Sequence, residues 1–520
     1  MSSKVNNALF ELIQAMSKSE KRYFKLMSSR HTIGKENNYV RLFDFLDKQT
    51  DYNEELIFST FEGEAFLNRF SITKKRLYDH VLSALDSFHS TNSIEAQLHK
   101  QLHAADILFE KSLYDQCRRV LRSAEKLAEK NELPSIQMLI SYKKKRLRET
   151  MGSLNVSEDE IETILSDDIR FTKSIDAYNE LWSIKSQLFS QLSKKGVARS
   201  DEDSNRYYQL CTRVLVDFET EELSFESLHL YHHILSAYYY ATGDMAESLF
   251  HLEVNLDGID KESLVKRVEG NKYISALTNA IYIADKIGEH RKSVQYLSAL
   301  KEFALTTKSN EDLSIKLFSS ISSIELSIYL RKGDFEKANV TAQTVTDKLQ
   351  KYGDKIVPVR RAFLEYKMVV VNMGRGNYTD ALKWINRILN DPNLDKTEDI
   401  IGFTQLLDLL VHIELDHTKL LPYTLKNTQR FFKTRNRLYG FEKVLLQSIN
   451  KLIKCDNPFD SQNIWEALYN ELAKITNDDV FESVAIDYFD FQAWAESKQK
   501  RKSFDLIVRE KYNRKMRVAS

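Results

Sequence analysis

Apolar residues recur along this chain at the spacing of one helix face. Leu98, Leu102, Ala105 and Phe109 stand at i, i+4, i+7 and i+11, and Ala338, Ala342, Val345 and Leu349 repeat the same interval. Such stripes predict helices with one side to bury. Alternating runs closed by Asn-Gly or Asp-Gly turns do not occur, so no sheet is expected. Two capping boxes, Ser17 to Glu20 and Ser157 to Glu160, place a hydroxyl and a carboxylate three residues apart, where each satisfies an orphan amide at a helix start. With only 14 Gly and 5 Pro in 520 residues, well below the roughly 12% of average usage, the helices should be long.

A turn recurs between the amphipathic stretches: Gly243-Asp244-Met245, Gly288-Glu289-His290, Gly333-Asp334-Phe335 and Gly376-Asn377-Tyr378. The glycines stand 45, 45 and 43 residues apart, and a fixed period signals a repeat architecture. Glycine permits the left-handed backbone that ends a helix. The small residue five positions on, Ser248, Ser293, Ala338 or Ala381, lets the next helix pack closely on the one before.

Through Gly333-Asp-Phe-Glu-Lys-Ala338 and Gly376-Asn-Tyr-Thr-Asp-Ala381, the latter closed by Pro392, the chain resembles the tetratricopeptide repeat. Ser112-Leu-Tyr-Asp-Gln-Cys117, ending at Pro134, looks like a degenerate earlier copy. The likeness covers roughly 95 to 395 well and 396 to 470 poorly. It implies an all-α fold built as a right-handed α-solenoid of helix pairs. The departure is the period, since the usual unit is about 34 residues. Residues 1–92 do not share it and read as an N-terminal helical bundle; 93–470 read as the solenoid; 471–520 read as capping helices with a basic tail. Ser17-Lys-Ser-Glu-Lys-Arg-Tyr-Phe24 and Tyr488-Phe-Asp-Phe-Gln-Ala-Trp494 also faintly resemble a family of uncharacterised bacterial repeat proteins, a likeness that implies no activity.

Composition narrows the function classes. Lys plus Arg and Asp plus Glu each number 75, so the summed field gives no general affinity for nucleic acid or anionic membrane. Three widely spaced cysteines, Cys117, Cys211 and Cys455, suit free thiols in a reducing compartment and are expected to act as small hydrophobes. The charged residues of Met1 to Tyr23 leave no signal-like apolar stretch, and no run reaches the roughly 18 apolar residues of a membrane span. A cytoplasmic protein without membrane association is expected.

Motifs for chemistry are weak, and neither catalytic residues nor cofactors are predicted. Gly374-Arg-Gly376 is too short for a dinucleotide loop, and Gly34-Lys35 lacks the earlier glycine of a phosphate loop. His229-Leu-Tyr-His232-His233 could share a helix face but lacks further ligands, His99 and His103 lack the metalloprotease Glu, and Glu414-Leu-Asp-His417 is one unit where a di-metal bundle needs two. No metal site is expected. Lys143, Lys144, Lys145, Arg146 and Arg148 form a possible polyanion patch, and residues 498–520 carry nine positive charges against Asp505 and Glu510. Ser71 to Tyr78, with Lys74, Lys75 and Arg76, has the composition of a recognition helix but no helix-turn-helix glycine before it.

In tetratricopeptide arrays the first helix of each pair lines a concave groove. Counting back from each turn glycine, the resemblance implies a partner-binding wall of His233, Tyr240, Thr278, Tyr282, Asp285, Ser323, Ser327, Arg331 and Tyr366. This polar and aromatic wall suits an extended peptide or an amphipathic helix. It lacks the Lys and Asn pairs with which some members clamp a terminal carboxylate. The expected function is a non-catalytic protein–protein interaction scaffold. The alternative is a peptide-sensing regulator with a nucleic-acid-binding N-terminal bundle, and an enzyme with a site scattered between helices leaves no local motif to judge by.

Overall fold

The structure, a computed structural model, describes residues 8–30, 38–90, 93–152, 158–221, 223–259, 270–306, 311–395 and 399–519. It is all-α, with no strand among the described residues. The chain divides into two compact units, 1–175 and 176–520.

The first unit opens with α1 (Ala8–Ala15), α2 (Lys18–Arg30), α3 (Asn38–Lys48), α4 (Glu54–Thr60) and α5 (Phe70–His89). Their apolar faces meet in one cluster that includes Phe24, Phe43, Leu46, Leu77 and Val81. The box at Ser17 forms as read: the Ser17 amide donates to Glu20 Oε2 at 2.6 Å and the Glu20 amide to Ser17 Oγ at 3.3 Å. Ser157 of the second box and Gly34-Lys35 lie outside the described residues. A separate cluster joins α6 (Ile94–Glu110), α7 (Tyr114–Lys130) and α8 (Pro134–Met151) through Leu98, Leu102, Leu121, Ala124 and Ile140. Ser112 takes a left-handed φ of 57°, where the repeated turns have glycine, and Cys117, at the small-residue position, is buried. The long α9 (Glu158–Lys195) contributes residues to each unit.

In the second unit, α10 (Asp201–Val216) precedes a series of hairpins. These are α11 (Phe225–Thr242) with α12 (Met245–Gly258), α13 (Gly270–Lys286) with α14 (His290–Thr306), α15 (Glu311–Lys332) with α16 (Phe335–Tyr352), and α17 (Pro358–Gly374) with α18 (Tyr378–Leu389). Each first helix touches its own second helix, and α13, α15 and α17 also touch the preceding second helix and one another in succession. The turn glycines explain the tight hairpins: Gly243, Gly288, Gly333 and Gly376 have φ of 96°, 87°, 69° and 73°. The small residues expected at the crossing points, Ser248, Ser293, Ala338 and Ala381, are all buried. A larger side chain there would overpack the crossing at a cost of about 1 to 3 kcal/mol.

Beyond the hairpins come α19 (Asp399–Glu414), α20 (Leu421–Thr434), α21 (Gly440–Ile453) and α22 (Pro458–Asp478). Two single-turn helices follow, α23 (Val480–Ser483) and α24 (Ala485–Tyr488), then α25 (Phe491–Lys500) and α26 (Phe504–Ala519). The largest core cluster collects Phe335, Val369, Ile385, Leu406, Leu410, Phe441, Phe491 and Trp494 from these helices and the last hairpins. Among the described residues only α15 is long and apolar enough to cross a membrane. It is instead wedged against α13, α14, α16, α17 and α26, with Ile315, Leu317, Ile324 and Leu326 buried, as a core helix of a helix array would be.

Candidate functional site

The predicted wall residues belong to four successive first helices, and most meet across the joints between them. Tyr240 of α11 and Tyr282 of α13 contact edge to face, with ring centroids 6.1 Å apart. Asp285 of α13 pairs with Arg331 of α15, whose guanidinium also donates to the Asp285 carbonyl at 3.2 Å. Ser327 of α15 accepts from Lys367 Nζ of α17 at 2.6 Å. These three contacts tie one hairpin to the next, because residues 40 to 46 positions apart occupy equivalent places on neighbouring first helices. Lys367 is a rung the sequence reading passed over: it lies one residue beyond Tyr366, and its partner identifies it.

The remaining candidates sit differently. His233 of α11 is half-buried against Phe189, with ring centroids 5.0 Å apart. Thr278 turns its hydroxyl back to the Ile274 carbonyl at 2.6 Å, within its own helix. Ser323 is half-buried, and its hydroxyl makes no hydrogen bond to the protein among the described residues. Tyr366 is buried at 3% exposure, and its hydroxyl also has no hydrogen-bond partner among the described residues.

Asp487 and Tyr488, from the stretch Asp479–Asp490, lie against this stripe. Tyr488 stacks on Phe403 at 3.8 Å between centroids, meets Tyr366 edge-on at 6.3 Å, and donates to Asp399 Oδ2 at 2.5 Å. Asp487 pairs with Lys286 at 2.6 Å. Burial, with the field of Asp487, pushes the Tyr240 phenol up to about 12, and burial with the neighbouring Tyr240 and Asp487 raises the Tyr282 phenol well above its usual range. Burial together with Arg331 pulls Lys367 down to about 8.

A few residues from this contact, a buried ion network holds the same stretch in place. Arg199, 7% exposed, donates to Glu442 at 2.8 Å and to Glu482 at 2.7 Å, and its guanidinium lies 4.5 Å from the Tyr439 ring centroid. Glu482 also accepts the amides of Gly440 and Phe441 at 2.7 and 3.0 Å, capping the start of α21 with a carboxylate where the helix dipole favours one. Arg437 pairs with Asp399 and donates to the Lys195 carbonyl at 2.7 Å. These partners stand up to 283 positions apart, so no local spacing reveals them.

Several other sequence candidates have partners within the protein. The patch is internally paired: Lys143 meets Asp106 at 2.5 Å, Lys144 meets Glu125, Lys145 meets Asp168, and Arg146 lies 4.3 Å from the Phe109 ring centroid. Arg148 follows on the same helix, half-buried. Lys74 of the supposed recognition helix is buried and binds Glu54 at 3.0 Å and the Tyr52 hydroxyl at 3.2 Å. In the basic tail Lys498 pairs with Glu414 at 2.5 Å, Lys511 with Asp490 at 2.7 Å, and Lys502 with Glu510 at 2.8 Å.

Four histidines cluster here, with His229 and His251 buried and His232 and His233 half-buried: His232 and His251 share an Nδ1–Nδ1 contact of 3.0 Å, and desolvation pulls His229 down to about 3 and His233 and His251 to about 4. Glu414 binds Trp494 Nε1 at 2.7 Å, while His417 lies 2.8 Å from His412. No group of three or more His, Cys, Asp or Glu with metal-holding geometry occurs among the described residues. Cys117 and Cys211 are buried as expected, whereas Cys455 is half-buried and donates to the Asn457 carbonyl at 3.2 Å.

No protein-family model matches the chain, and neither the curated proteins nor the solved structures searched contain a match.

Proposed function

We propose that the hairpins form a right-handed α-solenoid of long tetratricopeptide-like pairs, and that the protein is a non-catalytic cytoplasmic scaffold holding a partner peptide or helix against the stripe of its first helices. One observation carries this reading. The stripe is linked across three hairpin joints by Tyr240–Tyr282, Asp285–Arg331 and Ser327–Lys367, and it already seats a stretch of polypeptide distant in sequence, through Asp487 and Tyr488. A face that binds chain through carboxylate, phenol and ammonium groups has the chemistry for peptide recognition. The alternative, a regulator with a nucleic-acid-binding N-terminal bundle, draws nothing from Lys74 or from Lys143 to Lys145, whose ammoniums are matched by carboxylates within their own unit.

Site-specific photo-crosslinking in nuclease-treated native cytoplasm tests the proposal. A benzophenone side chain at Ser323 or Phe363, on first helices, is compared with one at Val294 or Val340, which are exposed on second helices. Protein adducts from the first pair alone are the expected result. Equal adducts from both pairs, or adducts to nucleic acid only, would contradict it.

A further inference from the structure

A cavity of about 320 Å³ opens between α15 and α17, bordered by Ser319, Ser323, Val357, Arg360 and Phe363. It continues the stripe, because Ser323 stands one turn before Ser327, and Phe363 and Arg360 stand one and two turns before Lys367. The stretch 479–490 does not contribute to its lining. Val357 and Phe363 present apolar surface to solvent, at 60% and 39% exposure, and the Ser323 hydroxyl has no protein partner among the described residues.

Arg360 is unlike the arginines around it. Arg361 pairs with Asp391 at 2.6 Å, Arg387 with Glu365 at 2.8 Å, and Arg331 with Asp285. Arg360 donates only to Ser319 Oγ, at 3.3 Å, and has no carboxylate at ion-pair distance among the described residues. The nearest acidic influence, Asp312, is itself paired with Lys316 at 2.8 Å. A guanidinium fork at the edge of an apolar-walled cavity, with a free hydroxyl opposite, is complementary to a carboxylate attached to an apolar body.

We propose that this cavity is the specificity pocket of the partner-binding stripe and receives an Asp or Glu side chain together with a Leu or Phe side chain one helical turn away on the partner. The proposal rests on the scaffold reading above and names the partner's chemistry. The guanidinium of Arg360 takes the carboxylate, Ser323 donates to it or to the partner backbone, and Val357 and Phe363 cover the apolar side chain. The volume lies at the bottom of the range of about 300 to 1,000 Å³ for small-molecule pockets, which suits two side chains better than a cofactor.

The probes are two acetylated, amidated, fluorescein-labelled alanine-based helical peptides, one with Glu four residues before Leu and one with Gln in place of Glu. Anisotropy is measured against the full chain, Arg360→Gln, Arg360→Lys and Phe363→Ser, with octanoate as competitor. All three substitutions alter exposed side chains, and unchanged far-UV circular dichroism and melting would establish that the variants fold. The Glu peptide should bind at least tenfold more tightly than the Gln peptide. Arg360→Gln should abolish that discrimination, Arg360→Lys should restore part of it, and Phe363→Ser should weaken both peptides.

Equal binding of the two peptides, no binding of either, or discrimination that survives Arg360→Gln would overturn the proposal. So would tight octanoate binding without peptide binding, which would make the occupant a free aliphatic acid. Crosslinks at Ser323 alongside any of these results would leave the scaffold reading standing and this one fallen; absence of crosslinks at Ser323 and Phe363 would count against the scaffold itself.

Discussion

The hairpins between Phe225 and Leu389 and the segment from Arg437 to Arg509 are both helical, yet they are held by different physics. In the hairpins the helix-to-helix turn is set locally: a glycine with positive φ ends one helix, and a small buried residue five positions later seats the next. The later segment is held to the rest of its unit by contacts between residues far apart in the chain, such as Arg199 with Glu442 and Glu482, Lys286 with Asp487, and Arg509 with the carbonyl of Gly333. Local contacts define a repeating element, and distant charges fix what lies against its face.

The largest expected effect comes from the buried charges. Arg199→Met leaves the buried Glu442 and Glu482 without their cation and should cost about 3 to 5 kcal/mol of stability in urea unfolding, since an orphaned buried charge is costly. Adding Glu442→Leu and Glu482→Gln should recover a large part of that loss. Failure to recover would mean that packing, not charge, holds the segment.

Two turn glycines differ in what surrounds them. An alanine at Gly288 meets nothing within 4 Å and should cost only the left-handed penalty of about 1 to 2 kcal/mol. At Gly333 the added Cβ would fall 2.8 Å from the Arg509 amide nitrogen, so steric strain of about 1 to 3 kcal/mol should be added. Amide exchange across Phe504–Ala519 should accelerate in the Gly333 variant alone. Equal losses at the two sites would remove the joint between the regions.

This contrast also explains what could be read in advance. The all-α class, the hairpin turns and the buried small residues were legible because each depends on residues within about five positions. At Ser112 and Asp416 the same left-handed turn is made without glycine, so the pattern faded there although the backbone kept it. Among the wall candidates, Tyr240, Tyr282, Asp285, Ser327 and Arg331 come together, since helical phase carries that far. Lys367, Asp399, Asp487 and Tyr488 were missed because their roles depend on pairings between elements that no period encodes. The basic run at Lys143 could not be judged from composition, because the carboxylates that neutralise it lie on other helices.

Acid should weaken the hairpins through their histidines. Burial holds His229 at about 3, with His233, Lys272 and Lys185 adding to the effect, while His251 falls to about 4. The unfolded imidazoles bind protons near 6.5 and the folded ones do not, so stability is lost as pH falls from about 6.5 toward 4. The steepest slope is about 1.4 kcal/mol per pH unit for each proton taken up. Urea midpoints at pH 7 and 4.5 should converge in His229→Gln relative to the parent; an identical acid loss in both would place the effect elsewhere.

The smallest effect belongs to a single local seat. Ser248, fully buried, donates to the Ser236 carbonyl at 2.8 Å, and Ser248→Ala should cost about 1 kcal/mol in the thermal midpoint without changing exchange in the Arg437–Arg509 region. A change spreading to that region would mean the two regions are not separately held.

The stripe is a face made by the hairpins and covered in part by Asp487 and Tyr488 of the stretch 479–490. Hydrogen–deuterium exchange of the intact chain beside a Glu482→Gln, Asp487→Asn variant tests this most directly. Faster exchange confined to 479–490, the start of α21 and the facing turns around Lys286 and Tyr366, with the second helices α14 and α16 unchanged, is the predicted result. Uniform acceleration across the hairpins, or no change at Lys286 and Tyr366, would contradict it.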